Sequence, residues 1–138
     1  MNTTILHQQS QVSIKKTTLR NFPDAIVVQP DHKLIALLSD LSPDTPWGLR
    51  QTAARKLGYM RSTEALPSLI AALPKDSFWM VRCAIIQALA MIGDPGAIPT
   101  LRDVANSDSF QVVRSYAAKV SEKLSQKGQV PNRYAGMQ

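Results

Sequence analysis

Three stretches of this chain overlay at a spacing of 32 residues. Residues 44–57 read DTPWGLRQTAARKL, residues 76–89 DSFWMVRCAIIQAL, and residues 108–121 DSFQVVRSYAAKVS. Asp44, Asp76 and Asp108 share one phase, and Arg50, Arg82 and Arg114 share another. A fixed period of this length means that one supersecondary unit has been copied. A single copy cannot bury its apolar face, so the copies must stack.

Each unit contains two apolar-periodic stretches. The first runs HKLIALLSDL (32–41), EALPSLIAAL (64–73) and GAIPTLRDVA (96–105), with Leu34, Leu66 and Ile98 in phase and Leu37, Leu69 and Leu101 in phase. The second covers about 46–60, 78–92 and 110–124. There Leu49, Ala53, Leu57 and Met60 fall on one helical face, as do Val81, Ile85, Leu89 and Ile92, and nearly so Val113, Ala117, Val120 and Leu124. The pattern predicts six helices in three hairpins: an all-α short solenoid with units at 31–60, 63–92 and 95–124. Asp44, Asp76 and Asp108, or the Thr/Ser after each, are expected to cap the second helices. Pro46 suits a first helical position. Gly93 suits a helix C-cap, and Pro67 and Pro99 suit a first turn, where little hydrogen bonding is lost.

Residues 1–30 form an irregular N-terminal extension. Within it NFPDAIVVQP (21–30) reads as an extended segment, serving either as a cap on the open end of the stack or as a peptide for a partner. Residues 125–138 read as a flexible tail.

Composition excludes several classes. With 138 residues, 44% apolar and 19% charged, the chain is an ordinary globular domain. No apolar run is long enough for a membrane span, and the first residues lack the apolar core of a secretory signal. The single cysteine, Cys83, fits a reducing compartment, and the cytoplasm is the expected location. The net charge of +6 is spread over both flanks and the repeats. The repeats hold eleven Lys/Arg against nine Asp/Glu, so no dense basic track invites nucleic acid.

The order of an LP-containing helix, an aspartate in the turn, and then an aromatic followed by Val/Leu-Arg at the start of the second helix resembles a HEAT repeat. More narrowly, DSFWMVRCAIIQALAMIGDPGAIPTL (76–101) is similar to the HEAT-like repeats of phycobilisome lyase proteins, which handle bilin chromophores on cyanobacterial antenna subunits. The resemblance covers residues 31–124. It implies a protein-binding solenoid whose partner is a phycobiliprotein or another antenna component, in assembly or turnover of the antenna. The alternatives are a subunit of a bilin lyase, or a general scaffold in another assembly. A bilin enters only under the lyase alternative; otherwise no cofactor is expected.

Two sets of side chains stand out. Arg50, Arg82 and Arg114, each six residues after its aspartate, form either a row of cations for a carboxylate-bearing ligand or a structural ladder with Asp44, Asp76 and Asp108. The ladder is the reading adopted, a turn carboxylate bonding a helix arginine of its own or the next unit, and Arg82 is expected to be buried and paired with Asp76 or Asp108. The second set lies along the second helices: Trp47, Gln51, Arg55 and Tyr59, then Trp79, Cys83, Gln87 and Met91, then Gln111, Ser115, Lys119 and Lys123. Of these, Trp47, Gln51, Arg55, Tyr59, Trp79, Gln87, Met91 and Lys119 are the candidate partner surface, because aromatics, Met and Arg on a rigid face are the composition of binding hot spots. The competing reading has each tryptophan covering the neighbouring hairpin. Gln111 at the third position suggests that the fold itself needs no aromatic there. Catalytic and metal sites are not expected: His7 and His32 are isolated, and Cys83 has no His or Asp beside it in sequence.

Overall fold

A computed structural model describes residues 31–127. Within them lie six α-helices and no strand: α1 His32–Ser39, α2 Trp47–Met60, α3 Leu66–Ala72, α4 Trp79–Ile92, α5 Ile98–Ser107 and α6 Gln111–Lys127. A 3-10 turn precedes α3 (Thr63–Ala65) and another precedes α5 (Pro95–Ala97). The helices pack as the pairs α1/α2, α3/α4 and α5/α6, and α2, α4 and α6 lie side by side.

Local chemistry places the boundaries. Asp31 starts α1 by accepting from the N–H groups of Lys33 and Leu34 at 3.0 and 3.1 Å. Pro67 and Pro99 occupy the first turns of α3 and α5, where no intrahelical donor is lost. Gly93 ends α4 at φ 74°, in the left-handed region open to glycine. Arg61 ends α2 in the same region at φ 49°. A side chain there costs about 1–2 kcal/mol.

The core runs continuously through the stack. Leu37, Leu69 and Leu101 are buried from the first helices; Leu57, Ile85, Leu89, Val113 and Ala117 are buried from the second. Each fully buried aliphatic side chain contributes about 1.5–3 kcal/mol. Leu49 departs from expectation. It shares a phase with the fully buried Val81 and Val113 yet is 55% exposed. Val81 and Val113 belong to hairpins with another hairpin before them, and Leu49 has none before it among the described residues.

The second helices begin one residue later than their patterns suggested, since Pro46 and Phe78 are the residues flanking their starts. Helix α6 continues to Lys127, three residues into the stretch expected to be a tail. Its apolar row reaches Leu124, and the hydroxyl of Ser125 bonds the carbonyl of Ser121 within the last turns. The 21–30 segment and residues 128–138 lie outside the described residues.

Candidate functional site

The arginines and aspartates build rungs between neighbouring hairpins. Arg50 reaches forward to Asp76 with a bidentate fork, Nε to Oδ2 at 2.8 Å and Nη2 to Oδ1 at 3.0 Å. Arg82 repeats this on Asp108 at 2.7 and 3.0 Å. The remaining guanidinium nitrogen binds a turn carbonyl: Thr45 for Arg50, Asp76 for Arg82 (2.8 Å) and Asp108 for Arg114 (2.6 Å). Both rung arginines are buried, at 6% and 7% exposure. Each of the three guanidinium nitrogens of Arg50 and of Arg82 finds an acceptor, which is what makes burying such a charge tolerable.

The electrostatics follow. The hydrogen bond from Arg50 to Asp76 raises the Arg50 pKa further above its ordinary value. Burial alone would push the Asp108 carboxyl up. The Arg82 hydrogen bond, the Phe110 N–H and the nearby positive charges of Arg82 and Arg114 overcome it and hold the group below the ordinary carboxylate value.

Three details differ from the sequence reading. Among the described residues Asp44 joins no rung: it is exposed and makes no ion pair. A rung joins an arginine to an aspartate 26 residues later. Arg114, at the other end, binds only its own turn carbonyl among the described residues. The aspartates also do not cap the second helices. Asp76 and Asp108 accept from the N–H groups of Phe78 and Phe110 at 3.0 and 2.9 Å, forming Asx turns ahead of the helices.

Those turns set up a second kind of rung. Phe78 stacks on Trp47 of the preceding hairpin, with centroids 5.1 Å apart and rings 8° from parallel. Phe110 stacks on Trp79 at 6.0 Å and 25°, and the Arg82 guanidinium lies 5.8 Å from the Phe110 centroid. Each tryptophan therefore packs on the hairpin that follows it, with its outer part still exposed, 39% for Trp47 and 36% for Trp79. Gln111 is explained by position: no hairpin follows it among the described residues. The packing reading of the two tryptophans is the one these stacks support. Phe78 and Phe110 were missed in the sequence, although they share a phase next to the tryptophan position.

The rest of the expected surface divides. Tyr59, at 69%, is the most exposed large apolar side chain, and Arg55 and Lys119 are exposed with it. Gln51, Gln87 and Met91 are half-buried. Met91 packs toward Gly58, where its sulfur lies 3.3 Å from the place a β-carbon would occupy. Gln87 and Met91 also line a groove of about 650 Å³ between the C-terminal ends of α4 and α6, together with Tyr116, Val120, Lys123 and Lys127. A second hollow, of about 600 Å³, lies between α1 and α3 beside Arg50 and Asp76.

Chemistry of a reactive kind has little to work with. Cys83 is half-buried, and burial pushes its thiol up against the lesser pull of Arg82, which disfavours the nucleophilic thiolate. Among the described residues, no three His, Cys, Asp or Glu side chains cluster closely enough to hold a metal. No helix among them is long and apolar enough to cross a membrane.

The profile of the family described as HEAT repeats matches residues 33–121, well over half of the chain. No curated protein gives a significant match. The chain belongs to the HEAT-repeat family.

Proposed function

We propose that this HEAT-repeat chain is a non-catalytic protein-interaction scaffold whose partner docks along α2, α4 and α6. The observation that carries the reading is the outer row of those helices. Tyr59, Arg55 and Lys119 stand exposed on rigid elements and take no part in the rungs or the core. The Tyr59 ring, with few rotatable bonds on a rigid helix, orders at small cost on docking, and the two cations add charge beside it. Gln51, Gln87 and Met91 border them, and the exposed edges of Trp47 and Trp79 extend the row.

The narrower reading, a role in phycobilisome assembly or turnover in the cytoplasm of a cyanobacterium, is supported by the resemblance of residues 76–101 to the lyase-type repeats. One mixing experiment tests both. The purified chain is combined with apo-phycobiliprotein subunits and phycocyanobilin, then separated by size-exclusion chromatography with absorbance detection. A colourless complex is expected. A covalent bilin adduct would instead assign a lyase subunit, and the lack of any complex would remove the antenna partner. Tyr59→Ala should weaken a complex about thirtyfold, the effect of truncating a central aromatic anchor. An unchanged affinity would move the contact off this row.

A further inference from the structure

Helices α2 and α4 touch where Gly58 meets Ala88: a β-carbon on Gly58 would lie 2.8 Å from the Ala88 α-carbon. One period later the corresponding residues are Ala90 and Val120, and both line the groove between α4 and α6. The larger pair holds the C-terminal ends of the helices apart, because helix separation follows the side chains at the contact. The floor of the opening is apolar, with Met91, Tyr116 and Val120. Its rim is cationic, with Arg61, Lys123 and Lys127.

Among the described residues no carboxylate lines the groove. Of the acids close by in sequence, Asp94 is turned onto the Gly96 N–H at 2.7 Å, Glu122 lies 3.4 Å from the amide nitrogen of Gln126, and Glu64 is exposed three residues after Arg61. The Lys127 Nζ lies beside Gly93, 2.8 Å from the point a β-carbon there would occupy, at the C-terminal end of α4. A helix C-terminus attracts a cation. An apolar trough rimmed by three cations in an otherwise charge-balanced array selects its ligand by charge.

We infer that this groove binds an acidic peptide segment of a partner protein, one apolar side chain seated on Met91, Tyr116 and Val120 with carboxylates meeting Arg61, Lys123 and Lys127. The inference rests on the scaffold reading in that the ligand is a protein segment, and it names a second contact and its chemistry. The dimensions suit this occupant, since a groove of about 650 Å³ accepts a few side chains. Residues 128–138 carry Arg133 and no Asp or Glu, so their charge does not match the rim. Three cations around an apolar floor are also too few for a nucleic-acid backbone track.

The test is a fluorescence-anisotropy titration of the full chain with a short fluorescein-labelled peptide alternating glutamate and leucine. Saturable binding that weakens with added salt is expected, as screening requires. The double variant Lys123→Glu/Lys127→Glu should lose at least about tenfold in affinity, because like charges then face each other. Both residues are exposed, so the variant should stay folded, with a melting temperature lowered by no more than the lost attraction of Lys127 to the end of α4 explains. Lys33→Glu, exposed on α1 and away from the groove, should leave peptide affinity unchanged. No peptide binding, as would follow if residues 128–138 or a second copy filled the groove, overturns the proposal. So does equal affinity in the double variant, or equal binding of an oligothymidylate of matched charge. A partner complex that survives the double charge reversal but is lost in Tyr59→Ala would sink the groove alone and leave the scaffold reading standing.

Discussion

Between the first and second hairpins, α2 and α4 meet nearly backbone to backbone at Gly58 and Ala88; between the second and third, α4 and α6 carry Ala90 and Val120 at the same places and diverge. The turn ends of both joints are alike, each with a bidentate Arg–Asp rung and a Trp–Phe stack. The first joint leaves its hollow between the first helices, α1 and α3; the second leaves its groove between the second helices, α4 and α6. The lesson is a division of labour. The repeated polar and aromatic rungs hold neighbouring hairpins in register, and the small-residue contact at the far end decides on which side the stack opens.

The largest effect should come from the part the joints share. Arg50→Ala and Arg82→Ala each leave a buried carboxylate without its fork, and each should cost about 3–5 kcal/mol by denaturant unfolding. Arg114→Ala, which removes only a carbonyl hydrogen bond among the described contacts, should cost about 1 kcal/mol. If one rung mattered and the other did not, the claimed equivalence of the joints would fail.

Gly58→Ala probes the difference. Helix propensity alone would stabilise the variant by about 1 kcal/mol. The added carbon, however, meets a backbone atom of Ala88, and such overpacking costs about 1–3 kcal/mol. A lowered melting temperature is therefore expected. A raised one would mean that the first joint can open as freely as the second.

The stacks come next. Trp47→Gln and Trp79→Gln should each lose about 0.5–1.5 kcal/mol beyond the area they uncover. Double-mutant cycles with Phe78→Leu and Phe110→Leu would isolate the ring–ring coupling. A coupling near zero at either joint would reduce that stack to simple coverage.

The smallest effect is acid sensitivity at the second joint. Asp108 has a folded pKa below its ordinary value of 3.8, so the stability it supplies is present above that value and is lost as pH falls through the lower, folded one. The parent should begin to lose stability below about pH 4, and Asp108→Asn, though less stable, should show a shallower acid decline over that window. Parallel acid curves for the two proteins would remove Asp108 as the cause.

The six helices were legible because their signals repeat: three apolar rows in phase, prolines in equivalent first turns, and glycine at the end of α4. The arginine of each rung was legible as well, and its partner was left open between a carboxylate of its own unit and one of the next. A spacing of six residues could not decide, and the carboxylate that closes the fork belongs to the next unit. Reading Trp47 and Trp79 apart from Phe78 and Phe110 hid the stacks, since the two ring types sit at adjacent phases and meet only across a joint. The groove was the least visible feature. It arises from a change of a few carbon atoms, Gly58 to Ala90 and Ala88 to Val120, in positions that all read as helical.

The forward reach of each rung also bears on how the chain finds its fold. Arg50 to Asp76 and Arg82 to Asp108 both span 26 residues, and each stack joins the same neighbouring hairpins. Loop-closure entropy grows slowly with length, so the two joints face nearly equal entropic barriers. Short sequence separations of this kind favour rapid folding. The middle hairpin alone belongs to both joints, and with Ile85, Ile86 and Leu89 fully buried it carries the densest apolar face. Structure that begins there can spread toward either terminus, one hairpin at a time, without closing any loop longer than a single period.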